Sequence, residues 1–256
     1  MSIVMNSSDS LQLVGEKEAL EGLYLFPLPI AEGRKGLEWL GLECRELLMG
    51  NRLIFAENER TARRFIASLK LGVRIEDYRI MRLDKDSTPD DYLNCICLLR
   101  ENGSALLMSE AGCPAIADPG SELVRLCHEN EIKVHPITGP SSLLLALMGS
   151  GLSGQRFTFH GYLPIDKNQC AQRIRILEQD SAREASTQLF IETPYRNKSV
   201  WEQLLRNLSP RTLLCFARDL GGAAEEIRMK PVAKWKSCQE VEWPKNPCVF
   251  LFMAGR

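Results

Sequence analysis

Short apolar runs alternate with longer amphipathic stretches along most of the chain, and no other feature limits the fold as much. Leu23-Tyr-Leu-Phe-Pro-Leu28 reads as a strand, and Leu37, Leu40, Cys44, Leu47 and Leu48 follow the spacing of one helix face. Leu53-Ile-Phe-Ala56 reads as a second strand. Asn58 can cap the helix that carries Phe65, Ile66 and Leu69 before Gly72 ends it. Thr88-Pro-Asp-Asp91 offers a capping hydroxyl, a proline in the first turn and carboxylates at the positive end of the helix dipole. That helix is expected to end near Gly103. A strand over Ala105–Met108, a helix over Ser121–Asn130, a strand over Ile132–Ile137 and a helix over Ser141–Met148 follow. Repeated strand–helix alternation predicts an α/β fold with a mostly parallel sheet and helices on its faces.

At 256 residues the chain is long for one compact domain and comfortable for two of ~100–150 residues. The small, polar run Gly149-Ser-Gly-Leu-Ser-Gly154 suits a hinge. The expected division is therefore a loosely ordered N-terminus (1–21), a first α/β domain (22–152) and a second α/β domain (153–256). In the second, strands are expected over Phe157–Tyr162, Gln188–Glu192, Thr212–Ala217 and Cys248–Met253. Helices are expected over Lys167–Gln179 and Asn197–Leu208.

Composition excludes several classes. The purely apolar runs, such as Leu143–Met148 and Cys248–Ala254, are far short of the ~20 residues that span a bilayer. Met1–Ser10 has no basic residue and does not read as a secretory signal. Nine scattered cysteines without a Cys-x-x-Cys fit buried thiols in a reducing cytoplasm, and the three histidines are too dispersed for a metal cluster. Residues 1–151 carry a net charge of −6 and residues 152–256 one of +5. A basic second half, with Lys167, Arg173, Arg175 and Arg196, suits an anionic acceptor; differing surface charge is the plainer reading.

Gly149, Gly151 and Gly154 match G-x-G-x-x-G, but a helix precedes them and a strand follows, the reverse of what dinucleotide binding requires. The stretch Ser109-Glu-Ala-Gly-Cys-Pro-Ala-Ile-Ala-Asp-Pro-Gly120 is more informative. It lies between a strand and a helix, at the carboxyl end of the sheet where open α/β folds place ligands. Gly112 would let a ligand approach the backbone, and the prolines fix the loop's shape. A second such loop, Thr138-Gly-Pro-Ser-Ser142, ends in two serines. Either can cap the following helix or offer donors to a ligand carboxylate. In the second half, Phe190-Ile-Glu-Thr-Pro-Tyr-Arg196 crowds a carboxylate, a phenol and a guanidinium at a strand end.

Leu23–Ile30, Ala56-Glu57 with Arg60, Glu110–Gly120, Gly139–Ser142, Phe159-His-Gly-Tyr-Leu-Pro164 and Phe190–Arg196 stand in the order and spacing of one family. Together they resemble the tetrapyrrole methylase superfamily, the class III S-adenosylmethionine-dependent methyltransferases. Within it the sequence is most similar to the branch that methylates a ribose 2′-hydroxyl of small-subunit ribosomal RNA. The resemblance implies two α/β domains with the cofactor cleft between them. It implies S-adenosylmethionine held by Pro27, Leu28, Glu110, Ala111, Gly112, Cys113, Ile116, Ser141, Ser142, Ile191, Glu192 and Ala217. Glu110 stands where the family carries aspartate. Tyr195 and Arg196 are the expected substrate-binding residues; no catalytic base and no metal are implied. A cytoplasmic homodimer with ribosomal RNA or the small ribosomal subunit as partner is the expected setting. A small-molecule methyltransferase, such as one acting on a tetrapyrrole, and a non-catalytic cofactor-binding module stay open.

Overall fold

The computed structural model describes residues 20–31, 42–238, 241–243 and 245–255. Most of the expected loose N-terminus, residues 1–19, lies outside the described residues, as do Leu37 and Leu40 of the first expected helix.

The first half builds a wholly parallel five-stranded sheet. Its strands are β1 (Gly22–Leu25), β2 (Leu53–Ala56), β3 (Arg79–Arg82), β4 (Ser104–Met108) and β5 (Val134–Pro136), in the order β3-β2-β4-β1-β5. Parallel sheets are buried on both faces, and the period-two alternation assigns each face its residues. Ile54, Ala56, Leu106 and Met108 pack with Cys44, Leu47 and Leu48 of α1 (Leu42–Gly50) and Phe65 and Ile66 of α2 (Glu59–Ser68). Leu53, Phe55, Ala105 and Leu107 face Cys95, Ile96 and Leu99 of α3 (Pro89–Asn102) and Leu123 and Cys127 of α4 (Gly120–Glu129). The helix starts form as the side chains dictate. Asn58 accepts from the Thr61 amide, and Thr88 and Asp91 form a reciprocal capping box.

The second sheet runs β6-β7-β10-β8-β9, from β6 (Phe157–Phe159), β7 (Thr187–Glu192), β8 (Leu213–Arg218), β9 (Glu226–Pro231) and β10 (Cys248–Met253). Only β6–β7 is parallel; the other three pairs are antiparallel. One face is covered by α6 (Lys167–Glu184), α7 (Asn197–Asn207) and α8 (Val232–Lys236) around Trp201, Trp235, Phe216 and Phe250. The opposite face is covered from the first half of the chain. Ala146 and Leu147 of α5 (Ser142–Ser150) pack with Leu189, Ala217, Val249 and Leu251. The glycine triplet makes a helix end and turn: Gly149 lies inside α5, and Gly151 closes it in the left-handed conformation.

Two strands and a short helix are among the elements that do not emerge from the sequence pattern, and charge explains the strands. β3 (Arg-Ile-Met-Arg) and β9 (Glu-Ile-Arg-Met-Lys-Pro) are edge strands whose charged residues hide the apolar signal and protect the open edge. The helix, α8, is only five residues long. The expected strand Phe157–Tyr162 stops at Phe159, and Gly161 then takes a positive φ of 65°. The helix expected to end at Gln179 runs on to Glu184, where Ala185 caps it in the left-handed region.

Candidate functional site

The carboxyl ends of β1, β2, β4 and β5 converge on the α5 side of the second sheet. After β1 the chain runs through Phe26 and buried Pro27 to Leu28, which exchanges two backbone hydrogen bonds with Gly112 (2.9 and 3.0 Å). Gly112 has φ +72°, and a Cβ there would sit 3.2 Å from both Ile30 Cγ2 and the Pro140 carbonyl. Its glycine therefore serves close approach of three loops, a structural need beside the ligand approach expected from sequence. Gly139 is tighter still: an added Cβ would lie 2.2 Å from Pro27 Cβ.

The Ser109–Gly120 loop holds its own shape. Ala115 (φ 65°) and Ala117 (φ 62°) occupy the left-handed region, at a cost of about 1 kcal/mol each. Asp118 offsets this strain by accepting from the amides of Ala115 (2.9 Å) and Gly120 (2.8 Å). Burial pushes the Asp118 carboxyl up, and its Oδ2 takes no hydrogen bond. Beside it the Glu110 amide donates to Glu57 Oε2 (2.9 Å), and exposed Glu110 accepts from Asn58 Nδ2 (2.7 Å). Burial raises Glu57, against the lowering effect of the Glu110 amide; the nearby charges of Asp118 and Glu110 add to the rise. Cys113 donates its thiol to the Pro140 carbonyl at 3.4 Å, and burial lifts its pKa.

Two cavities share Ser142 and Ile191 at the junction of the two sheets. The larger, about 430 Å³, is lined by Ile30 and Ala31, Ser142, Tyr162, Ile191–Pro194, Ala217, Asp219, Leu220 and Lys245–Val249. The smaller, about 70 Å³, is lined by Cys113, Ile116, Ala117, Ser141–Leu143, Phe159 and Ile191. Of the residues singled out in sequence, Cys113, Ile116, Ser141, Ser142, Ile191, Glu192 and Ala217 thus line one cavity or the other. Pro27, Leu28, Glu110, Ala111 and Gly112 sit in the adjoining loops and are not lining residues. Ser141 occupies the N-cap position of α5, yet its side chain makes no capping bond.

Glu192 is the most unusual group on the wall. Its side chain is fully buried; Oε1 accepts from the Thr193 amide at 2.8 Å, and Oε2 takes no hydrogen bond. Arg196 Nη1 stands 3.3 Å from that oxygen as an ion partner. Burial still wins over both neighbours and holds the carboxyl above its usual range. Arg196 is otherwise occupied, donating to the carbonyls of Leu163 (3.2 Å) and Pro164 (3.0 Å). Tyr195 is 88% exposed. On α6, Arg173 bonds His160 Nδ1 (3.3 Å) and Arg175 bonds Asn207 (2.9 Å).

Sequence reasoning passed over Ile30, Tyr162, Asp219, Asn246 and Val249. Two signals pointed there. Tyr162 lies inside the quoted Phe159–Pro164 motif, and Asp219-Leu-Gly-Gly222 is a turn signature at a strand end. Asp219 takes φ +48° while its carboxylate accepts from the Ala224 amide.

Comparison with known proteins adds an independent line. The family described as Tetrapyrrole (Corrin/Porphyrin) Methylases matches residues 33–234. A "Ribosomal RNA small subunit methyltransferase I" of Buchnera aphidicola subsp. Baizongia pistaciae is 30% identical over 202 residues, covering 77% of this chain and 63% of its own length. A protein of the same name from Escherichia coli O157:H7 is 28% identical over 212 residues, 83% of this chain and 70% of its own. The first of these matches thus spans less than two thirds of the relative. Among solved structures, a uroporphyrin-III C-methyltransferase from Thermus thermophilus, complexed with S-adenosylhomocysteine, superposes with a TM-score of 0.54. It has 16% identity, over 90% of this chain and 96% of that one. The fold is shared at that distance.

Proposed function

Because this chain belongs to the tetrapyrrole methylase family, we propose that it is a methyltransferase. Its donor is S-adenosylmethionine, and its acceptor a ribose 2′-hydroxyl of small-subunit ribosomal RNA. One observation carries the donor site: a cavity between two sheets lined both by Ser142, at the start of α5, and by the buried carboxylate of Glu192. A zwitterionic, cationic donor fits such a wall. The start of α5, with Ser141 and Ser142, suits the donor's carboxylate. Ala217, Leu220 and Val249 offer an apolar face for its adenine. Glu192 and Asp219 bring carboxylates to a wall that also carries Lys245. Pro27, Leu28 and the Glu110–Cys113 segment with Ile116 close the first-half side.

When bound, the donor supplies a methyl group already activated by positive sulfur. What remains for the protein is to hold acceptor and donor in line and to exclude water. The loops that hold one another through Gly112 and Gly139, with Asp118 bracing the longest from within, give that wall a fixed shape. The acceptor class rests on the named relatives, which match at 28–30% identity over most of this chain. The same reading places the protein in the cytoplasm, as a homodimer working on the small ribosomal subunit. Among the described residues, no helix is long and apolar enough to cross a membrane. The test is methyl transfer from labelled donor to purified small subunits that lack the modification. Label in the RNA is expected; label only in a tetrapyrrole offered in parallel contradicts the acceptor assignment.

A further inference from the structure

The largest exposed side chains beside the cavity belong to two turns of the second half. Tyr162 is 57% exposed and Ile165 85% exposed on the turn after β6; Tyr195 is 88% exposed on the turn after β7. Lone exposed apolar residues are ordinary; three on adjoining turns at a cavity mouth are not. The turns are joined rigidly. Arg196, next to Tyr195, donates to the Leu163 and Pro164 carbonyls that lie between Tyr162 and Ile165. Glu192 pairs with that guanidinium and also accepts from the Thr193 amide. The Gly161 carbonyl, accepting from the Ile191 amide at 2.9 Å, ties the first turn to β7. Arg196 is thus committed to the protein's own backbone and holds both turns in place.

We propose that Tyr162, Ile165 and Tyr195 form a stacking platform for unpaired bases of the acceptor RNA, with Arg196 as its positioning residue. Splayed bases stack on aromatic side chains, and a backbone held in place before binding has less entropy to lose in doing so. Cations stand near the platform for the strand's phosphates: Lys245 on the cavity wall and Lys167 two residues after Ile165. Because Tyr162 also lines the donor cavity, a base stacked there lies beside the transferred group. This inference rests on the RNA reading above and adds the residues that would grip the strand.

The experiment uses the full chain, purified small subunits lacking the modification, and a single-stranded oligoribonucleotide carrying 2-aminopurine. Tyr195→Ala is expected to raise the KM for the subunit about tenfold, with kcat retained, and to abolish quenching of the base analogue. Tenfold corresponds to about 1.4 kcal/mol, within the range for one base on one ring. Tyr195→Phe should stay within twofold, because the ring rather than the hydroxyl does the stacking. Tyr162→Ala should weaken RNA binding similarly. If the parent methylates the subunit while Tyr195→Ala and Tyr162→Ala keep KM and quenching unchanged, the platform is wrong and the RNA reading stands. A parent that transfers no methyl to the subunit overturns the RNA reading and the platform with it.

Discussion

The two halves bring residues to the same cavity by different physics. In the first half, they sit on loops beyond the ends of parallel strands, and those loops hold each other by close glycine contacts and the bond from the Glu110 amide to Glu57. In the second, they lie on strand ends backed by an aromatic cluster. Trp201, Trp235, Trp243, Phe216 and Phe250 pack at centroid separations of 5.0 to 6.3 Å. The first half therefore depends on space around small residues, the second on bulk. α5 links them, since it starts at a first-half loop and packs on the second sheet.

The largest effect that could break this comparison is on stability. Trp201→Ala removes a ring packed against Phe216, Trp235, Trp243 and Phe250 and should cost about 3–5 kcal/mol in urea denaturation. A loss below about 1 kcal/mol would mean the aromatic cluster is not what supports the second sheet. Next comes Gly139→Ala, whose new methyl would meet Pro27. About 1–3 kcal/mol of overpacking is expected, with donor affinity falling at least about tenfold. In a Trp39→Phe background, fluorescence from Trp201, Trp235 and Trp243 should stay that of the parent, because the damage is confined to first-half loops. A spectrum changed as much as in Trp201→Ala would erase the distinction between halves.

A smaller effect is expected at an ordinary surface site. Thr88→Ala breaks the capping box of α3 and should cost about 1 kcal/mol without touching donor affinity, since α3 lies away from the cavity. The smallest is a pH slope. Burial holds Glu192 above the ordinary carboxylate value, so the folded state binds its proton more tightly than the unfolded chain does. Stability from this group is present below the ordinary value of 4.5 and is lost as pH rises through the raised folded value. Glu192→Gln should therefore gain on the parent between pH 4.5 and pH 8 in denaturant titrations. A gap that shrinks with rising pH would show that Arg196 dominates instead.

The same contrast explains what the sequence disclosed. Regular first-half elements were legible because buried parallel strands are short apolar runs and their helices carry strong caps, as at Asn58 and Thr88. Edge strands were not, because β3 and β9 carry the charges that keep edges from pairing. At the site, the strand-to-helix loops stood out by their glycines and prolines. Asn246 did not, and Asp219 showed only as a turn: they reach the cavity once antiparallel pairing brings β8 and β10 together, a contact between distant segments that neither segment announces. Arg196 was legible as a charge at a strand end. That its charge would be spent on Leu163, Pro164 and Glu192 was not.

The central claim is that S-adenosylmethionine occupies the space between the two sheets, and calorimetric titration of the full chain with that donor tests it most directly. Ser142 lines both cavities at the start of α5, so Ser142→Trp adds bulk to a wall that the two cavities share. The account predicts binding by the parent and a loss of at least about tenfold in Ser142→Trp, with circular dichroism unchanged. No heat from the parent, or equal affinity in the variant, would contradict it.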